Sequence, residues 1–172
     1  MPTQHYDSET YLARNSVGYL LKRAHLQLAD RIEPALQAYD FTFTQWVILM
    51  HLRDGLALNA RELCTQLRHD SGALTRVIDQ LESRGFVSRE RSRKDRREVQ
   101  LQLTAEGRGA VERTIPAVVG CLNTALAELT REEVATLTRL LTKLTVSLEG
   151  QGRTDVAPMI VPHLPGAAGS RT

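Results

Sequence analysis

Residues 84–97 read Arg-Gly-Phe-Val-Ser-Arg-Glu-Arg-Ser-Arg-Lys-Asp-Arg-Arg, with seven basic side chains against two acidic ones and a local charge of +5. The whole chain carries only +2, so all other residues together sum to −3. Charge that is concentrated in this way is typical of a surface that binds a polyphosphate. The alternative interpretation of such a run is a solvated face or a disordered tether.

The residues on either side of the basic run predict a helix and a hairpin. Residues 70–83 have an inward stripe of apolar side chains and are followed by Gly85, which predicts a helix. Residues 98–103 alternate strictly between polar and apolar, which predicts a two-faced strand that pairs with residues 86–91. A helix followed by a basic hairpin is the outline of a winged helix-turn-helix. An ordered strand beside the basic run argues against disorder and favours contact with double-stranded DNA.

Three further helices are predicted in the N-terminal part of the chain. Apolar residues recur at three- and four-residue steps from Tyr11 onward, and Pro34 is expected to kink or break that helix. A second helix covers residues 45–53, with Thr44 as its N-cap. Asn59 with a glutamate three residues on forms a capping box, which predicts a short third helix.

Two long helices are predicted after Thr104. The second begins with a capping box at Thr130. Its apolar residues are spaced three, four, three and four apart, at Val134, Leu137, Leu141, Leu144 and Leu148. This spacing favours packing against a partner helix. Together with the apolar stripe of the first helix it predicts a homodimer, and the alternative is that these helices pack on each other within one chain.

The predicted fold is mainly α with a small β-hairpin wing, a winged helix-turn-helix flanked by long N- and C-terminal dimerisation helices. The C-terminal tail is rich in glycine and proline, so we expect it to be disordered or loosely docked. The division that follows is a flexible leader at 1–10, an N-terminal dimerisation helix at 11–40, the DNA-binding domain at 41–103, C-terminal dimerisation helices at 104–149 and the tail at 150–172.

The chain resembles the multiple antibiotic resistance regulator (MarR) family of transcription factors. The most specific motif is Asp95-Arg96-Arg97, followed after five residues by Leu103-Thr104. Similar matches are Phe43-Thr44-Gln45-Trp46, the segment 74–85 and Thr104-Ala105-Glu106-Gly107. The likeness covers roughly residues 12–149. It implies a homodimer whose first and last helices interlock, bound to a palindromic operator, usually as a repressor that a small aromatic or phenolic acid releases.

Candidate DNA-binding residues lie first on the predicted recognition helix. A helix in the major groove reads base edges from its N-terminal half, where Ser71, Thr75 and Arg76 lie. Ser71 and the free N–H groups of the first turn suit a phosphate, and Arg76 suits either guanine or a phosphate. The alternative interpretation is an exposed polar helix face.

The hairpin supplies the second group of candidates. Negative potential in the minor groove attracts guanidinium groups, which makes Arg96 and Arg97 candidates for insertion. The resemblance places Arg97 at the signature position, and Asp95 would hold it there through a bidentate pair. Phosphate contacts, with the salt dependence that follows from counterion release, are expected from Arg89, Arg91, Arg93 and Lys94.

A ligand cleft is predicted between the first helix, the second helix and the start of the long fifth helix. Arg23 would pair with the carboxylate of a small aromatic acid, Tyr19 or Trp46 would stack on its ring, and His51 would hydrogen-bond a hydroxyl. The alternative is structural for each side chain, with Trp46 and Tyr19 in the core and Arg23 and His51 at the surface or an interface.

Several classes of protein are not indicated by the sequence. It has no signal peptide and no window of the ~20 apolar residues that a membrane span needs, so a cytoplasmic protein without a membrane partner is expected. The histidines have no metal-ligand spacing, and no catalytic motif or cofactor loop is present. We therefore expect no enzyme activity, no cofactor and no metal.

Two alternatives remain open at this point. Cys64 and Cys121 form no paired motif, and a buried apolar role for Cys64 is favoured over a redox switch. The alternative function is a constitutive or architectural DNA-binding protein that has no small-molecule ligand.

Overall fold

The computed structural model describes residues 4–91 and 99–150. The single-turn 3-10 helix Ala13–Asn15 comes first. The longer elements of this part of the chain are α1 Val17–Gln37, α2 Phe43–Arg53, α3 Ala60–Leu67, α4 Ser71–Ser83, β1 Val87–Arg91, β2 Val99–Leu103, α5 Ala105–Ala125 and α6 Arg131–Gly150. The prediction of a mainly helical fold with one antiparallel hairpin is confirmed. No helix in these two ranges is long and apolar enough to cross a membrane.

The first helix differs from the prediction in both its start and its course. It begins at Val17 rather than near Tyr11, because the Ser16 hydroxyl accepts a hydrogen bond of 3.3 Å from the N–H of Tyr19 and caps the helix. It also continues through Pro34, so the predicted break is wrong. Pro34 removes one hydrogen bond only a turn before the helix ends, and the core packing of the fully buried Leu36 holds that last turn in place.

The N-cap of α2 is Thr42, and the prediction of Thr44 is wrong. The Thr42 hydroxyl accepts from the N–H of Gln45 at 3.2 Å, and the Gln45 side chain accepts from the N–H of Thr42 at 3.1 Å. In addition, a Glu33 carboxylate oxygen of α1 accepts from the N–H of Phe43 at 2.7 Å. The predicted caps Asn59 and Thr130 are confirmed by bonds of 2.8 and 3.2 Å to N–H groups three residues on. Asp70 and Thr104 cap α4 and α5 in the same way, at 2.9 and 3.0 Å.

The core lies between the C-terminal half of α1, helices α2 to α5 and the base of the hairpin. Its largest fully buried apolar side chains are Leu36, Ile48, Leu49, Leu63, Leu74, Ile78, Leu81 and Val111. The predicted inward stripe of α4 is therefore confirmed, with Val77 half-buried at its edge. This packing turns the opposite side of α4 outward.

Apolar side chains remain uncovered on α6 and on the N-terminal half of α1. None of residues 131–149 of α6 is buried, and Leu137 is 43% exposed and Leu148 is 63% exposed. On α1, Tyr19 is 44% exposed and Leu20 is 51% exposed. We call these two helix faces the uncovered α1/α6 face. Its exposure disfavours the alternative that the two helices cover each other within one chain.

Candidate nucleic-acid interface

Helices α3 and α4 form the helix-turn-helix. Arg68 ends α3 in the left-handed region with φ of 51° and turns the chain sharply. Asp70 then caps α4 by accepting from the N–H of Ala73 at 2.9 Å. The sequence predicts where α4 starts, whereas a left-handed arginine has no clear signal in the sequence.

The three candidates on α4 lie where the sequence predicts them. Ser71 is the first residue of the helix, and Ser71, Thr75 and Arg76 are all exposed. The Thr75 hydroxyl donates a hydrogen bond of 2.7 Å to the carbonyl oxygen of Ser71. The oxygen of that hydroxyl can still accept a hydrogen bond from a DNA base or a water.

Two interactions fix α4 against the core. The Gln45 amide donates to the side-chain oxygen of Gln80 at 3.1 Å, which ties α2 to α4. The Arg84 guanidinium lies 4.8 Å from the ring centres of both Phe41 and Phe86 and donates to the carbonyl oxygen of Asp40 at 2.7 Å. In the sequence Arg84 belongs to the basic run, but in the structure its charge lies against two aromatic rings that hold the C-terminal end of α4.

The hairpin is anchored at its base. Val87 pairs with Leu103, and Arg91 pairs with Val99, in a regular antiparallel register. The N–H of Leu101 donates to the carbonyl oxygen of Leu58 at 2.8 Å, which joins the hairpin to the segment before α3. Arg91 is exposed. The remaining wing candidates, Arg93, Lys94, Asp95, Arg96 and Arg97, lie outside the described residues.

Arg89 lies between two carboxylates of α4, a position that the sequence does not predict. Its Nη2 lies 2.6 Å from a carboxylate oxygen of Asp79, and its Nη1 forms a second ion pair with Glu82. The hydrogen bond with Asp79 raises the pKa of the Arg89 guanidinium above its ordinary value. This differs from the outward phosphate contact expected from charge alone, because two carboxylates of α4 hold the side chain.

Thr104 joins the hairpin to α5. Its N–H donates to the carbonyl oxygen of Phe86 at 3.1 Å, and its hydroxyl donates to the carbonyl oxygen of Gly85 at 2.7 Å. The same hydroxyl accepts from the N–H of Gly107 at 3.0 Å. A Cβ at Gly107 would clash with the carbonyl oxygen of Phe86 and would lie 2.9 Å from a methyl carbon of Leu103. The structure therefore explains why the Thr-Ala-Glu-Gly segment has a threonine at its first position and a glycine at its fourth.

The ligand candidates are placed in two different environments. The Trp46 indole donates to the buried hydroxyl of Thr114 at 3.0 Å, and His51 Nδ1 lies 2.8 Å from the carbonyl oxygen of Val47. Tyr19 and Arg23 lie on the exposed half of α1. Surface depressions in the described part of the chain lie beside α3 and at the α5–α6 turn. The cleft made by these four side chains stays a prediction.

The two cysteines are half-buried and partly packed against the core. Burial raises the pKa of the Cys64 thiol, and the charge of Asp70 raises it further. A raised pKa reduces the thiolate fraction, which is the nucleophilic form. Among the residues that the structure describes, no group of three metal-ligating side chains exists.

Comparisons with known proteins agree with this geometry. The MarR family model matches residues 41–99. The HTH-type transcriptional regulator SarZ of Staphylococcus aureus is 30% identical over 103 residues, which cover 60% of this chain and 69% of SarZ. MarR from Escherichia coli aligns with a TM-score of 0.67 and 31% identity over 75% of this chain and 96% of that one.

Two further solved structures carry information on ligands. A mutant of E. coli MarR in complex with operator DNA is 30% identical and aligns with a TM-score of 0.66 over 78% of this chain and 99% of that one. BpsR of Bordetella bronchiseptica, whose DNA binding is regulated by 6-hydroxynicotinic acid, is 27% identical. It aligns with a TM-score of 0.67 over 78% of this chain and 96% of its own.

Proposed function

The chain belongs to the MarR family of DNA-binding transcriptional regulators, and on that premise we propose that it is a repressor that binds a palindromic operator as a homodimer and is released by a small aromatic acid. The observation that carries the proposal is that α4 faces outward and that a basic hairpin follows it directly in the sequence.

In the proposed complex, α4 lies in the major groove. Ser71 and the N-terminal N–H groups of α4 hold a phosphate, and Thr75 and Arg76 reach base edges. The complex of an E. coli MarR mutant with operator DNA supports binding to an operator by likeness. The wing contacts the adjacent minor groove and phosphates through Arg91, Arg93, Lys94, Arg96 and Arg97, with Asp95 orienting Arg97.

Dimerisation is proposed because the uncovered α1/α6 face needs a cover. Contiguous apolar surface of this kind marks an interface in soluble proteins, and the three-and-four spacing on α6 suits a partner helix. Twofold symmetry would place two copies of α4 about one DNA turn apart, roughly 34–36 Å, in successive major grooves. A palindromic operator follows from that symmetry.

The proposed effector is a small aromatic carboxylate. Tyr19 and Arg23 lie on the half of α1 that a partner subunit would approach, so dimerisation would enclose space around them. The Arg23 guanidinium suits a carboxylate, the Tyr19 ring suits an aromatic face, and Trp46 and His51 would line the α2 side. The ligand of BpsR supports this chemical class, since 6-hydroxynicotinic acid is itself an aromatic carboxylate.

The test starts from a duplex that the wild-type chain selects from a random-sequence pool. Affinity is measured by fluorescence anisotropy against salt and against a panel of aromatic carboxylates, with sedimentation giving the oligomeric state. We expect a dimer whose affinity falls steeply with salt and at least one acid that releases the duplex. A monomer, or affinity that ignores both salt and base order, would overturn the proposal. A salt-dependent dimer that no acid releases would instead be a constitutive DNA-binding protein.

A further inference from the structure

We propose that Arg89 is a positioning residue that sets the orientation of the wing relative to α4 through its ion pairs with Asp79 and Glu82. It then supports DNA binding through that orientation and makes no phosphate contact of its own. The inference rests on the proposed function, because it assigns a role within the same DNA-binding surface.

Arg89 on β1 and the two carboxylates on α4 form a cluster that joins the two elements, and we call this cluster the clamp. Asp79 and Glu82 lie three residues apart, which places them on one side of α4, one turn after the other. Each takes a different nitrogen of the same guanidinium, Nη2 at 2.6 Å for Asp79 and Nη1 for Glu82. Because a guanidinium is planar and rigid, two separate carboxylates fix both its position and its tilt.

The clamp acts at the middle of the hairpin. Arg89 is the third of five residues in β1 and pairs with Leu101, which is 4% exposed and joined to Leu58 by a backbone hydrogen bond. Strand β2 is thus fixed to the core through Leu101, and strand β1 is fixed to α4 through Arg89. The basic residues from Arg93 onward follow the end of β1 closely in the sequence, so we infer that their approach to DNA depends on how β1 and β2 are oriented.

The charges of the cluster argue against a phosphate contact. One guanidinium and two carboxylates give a negative sum, and phosphate is repelled by such a group. The Arg89 side chain is 30% exposed, less than the 55% of Asp79 and the 37% of Glu82. The carboxylates are therefore the more solvent-facing partners. Acidic side chains on a recognition helix weaken DNA binding by charge alone, so their presence requires a compensating role.

The experiment uses substitutions for which a phosphate contact and a positioning role predict opposite changes in DNA affinity. Asp79→Asn combined with Glu82→Gln removes two negative charges from the DNA-binding surface and releases Arg89. If Arg89 contacts phosphate, affinity for the selected duplex should rise, because the surface becomes more basic. If Arg89 positions the wing, affinity should fall at least about tenfold in spite of the added charge.

Two further variants serve as controls. Glu90→Gln removes a carboxylate from the same strand without touching the clamp, since the Glu90 side chain accepts from Gln102. It should bind as tightly as wild type or more tightly. Arg89→Lys keeps the charge but cannot span both carboxylates, so we expect it to lose about as much affinity as the double variant. Wild-type affinity in Arg89→Lys would overturn the proposal.

A second readout is independent of DNA. Hydrogen exchange of the free protein should be faster at β1 and β2 in Asp79→Asn/Glu82→Gln than in wild type, at an unchanged melting temperature. Unchanged exchange in the hairpin overturns the positioning role, as does unchanged or tighter duplex binding. Failure of the wild-type chain to bind any duplex would instead overturn the proposed function, and the exchange result would still decide whether the clamp orders the wing.

Discussion

The indole Nε1 of Trp46 donates a hydrogen bond of 3.0 Å to the hydroxyl oxygen of Thr114, a side chain with no exposed surface. The Thr114 hydroxyl in turn donates to the carbonyl oxygen of Val111 at 2.7 Å. This chain of bonds joins α2 to the middle of α5 inside the core. Trp46 therefore has a structural role, whatever it contributes to a ligand cleft.

Thr114→Val should destabilise the protein by about 1–3 kcal/mol, because it leaves a buried indole N–H without a partner while keeping the side-chain shape. The free energy of unfolding is measured in urea by far-UV circular dichroism at a fixed protein concentration. Trp46→Phe in the Thr114→Val background should cost less than in wild type, and additive losses would show that the two side chains do not interact.

Gly107→Ala should destabilise the protein by about 3 kcal/mol, because its Cβ would clash with the backbone of Phe86 in a place that cannot move aside. The matched control is Gly120→Ala on the same helix, where a Cβ meets nothing within 4 Å. That control should be neutral or stabilising by about 0.5–1 kcal/mol. Equal melting temperatures for the two variants would contradict the close approach.

Leu137→Lys should weaken the proposed dimer at least about 100-fold, because it places a charge in an apolar interface. Thr142→Lys lies five positions on, about 140° around α6, and should leave association unchanged. Sedimentation equilibrium measures both dissociation constants. Equal effects from the two lysines would mean that the apolar stripe of α6 is not the contact surface.

Arg97→Ala should weaken binding to the selected duplex at least about tenfold at moderate salt, since a minor-groove guanidinium and its charge are both lost. The melting temperature should stay at the wild-type value, because the sequence predicts that Arg97 lies in the basic tip between the two strands and outside the core. Arg76→Ala is the comparison on α4. If Arg76 reads a base, its replacement should also reduce the preference for the selected duplex over a shuffled one. Wild-type affinity in Arg97→Ala would contradict the wing assignment.

Cys64 should react slowly with iodoacetamide at neutral pH, because burial raises its pKa above the ordinary thiol value. The rate is followed against pH in Cys121→Ala, with the denatured chain as control, and should rise only above the range of a free thiol. A raised folded pKa also means that the contribution of the neutral thiol to stability is complete below the unfolded pKa. That contribution is lost as the pH rises through the folded pKa. Rapid alkylation at pH 7 would favour the redox-switch alternative.

Local interactions were predicted well because both partners lie within one turn. The predicted caps Asn59 and Thr130 each bind an N–H group three residues on, so the sequence alone contains the whole interaction. Thr42 and Thr44 are both plausible caps by that rule. The carboxylate of Glu33 on α1 also holds the first N–H of α2, and no local pattern reveals a bond from another helix.

The sequence predicts the candidate site only as a group of basic residues. The structure shows which of these residues are exposed and which are held by other side chains of the protein. Counting basic residues treats every one as free to meet phosphate, which suits Arg76 and Arg91 because both are exposed. Arg84 and Arg89 carry the same charge, but aromatic rings and carboxylates hold them. Asp79 and Glu82 become neighbours of Arg89 only when the hairpin folds back on α4, and Phe41 reaches Arg84 only through packing of the segment before α2. Periodicity shows neither contact.

The Thr104 hydroxyl donates to the Gly85 carbonyl oxygen and accepts from the Gly107 N–H. These two bonds join the end of α4 and the hairpin tightly to the start of α5. A displacement of the first turn of α5 would therefore reach the base of the hairpin and the C-terminal end of α4 directly. The orientation of the hairpin beyond its base depends on Arg89, so the two contacts act at different points of the same surface.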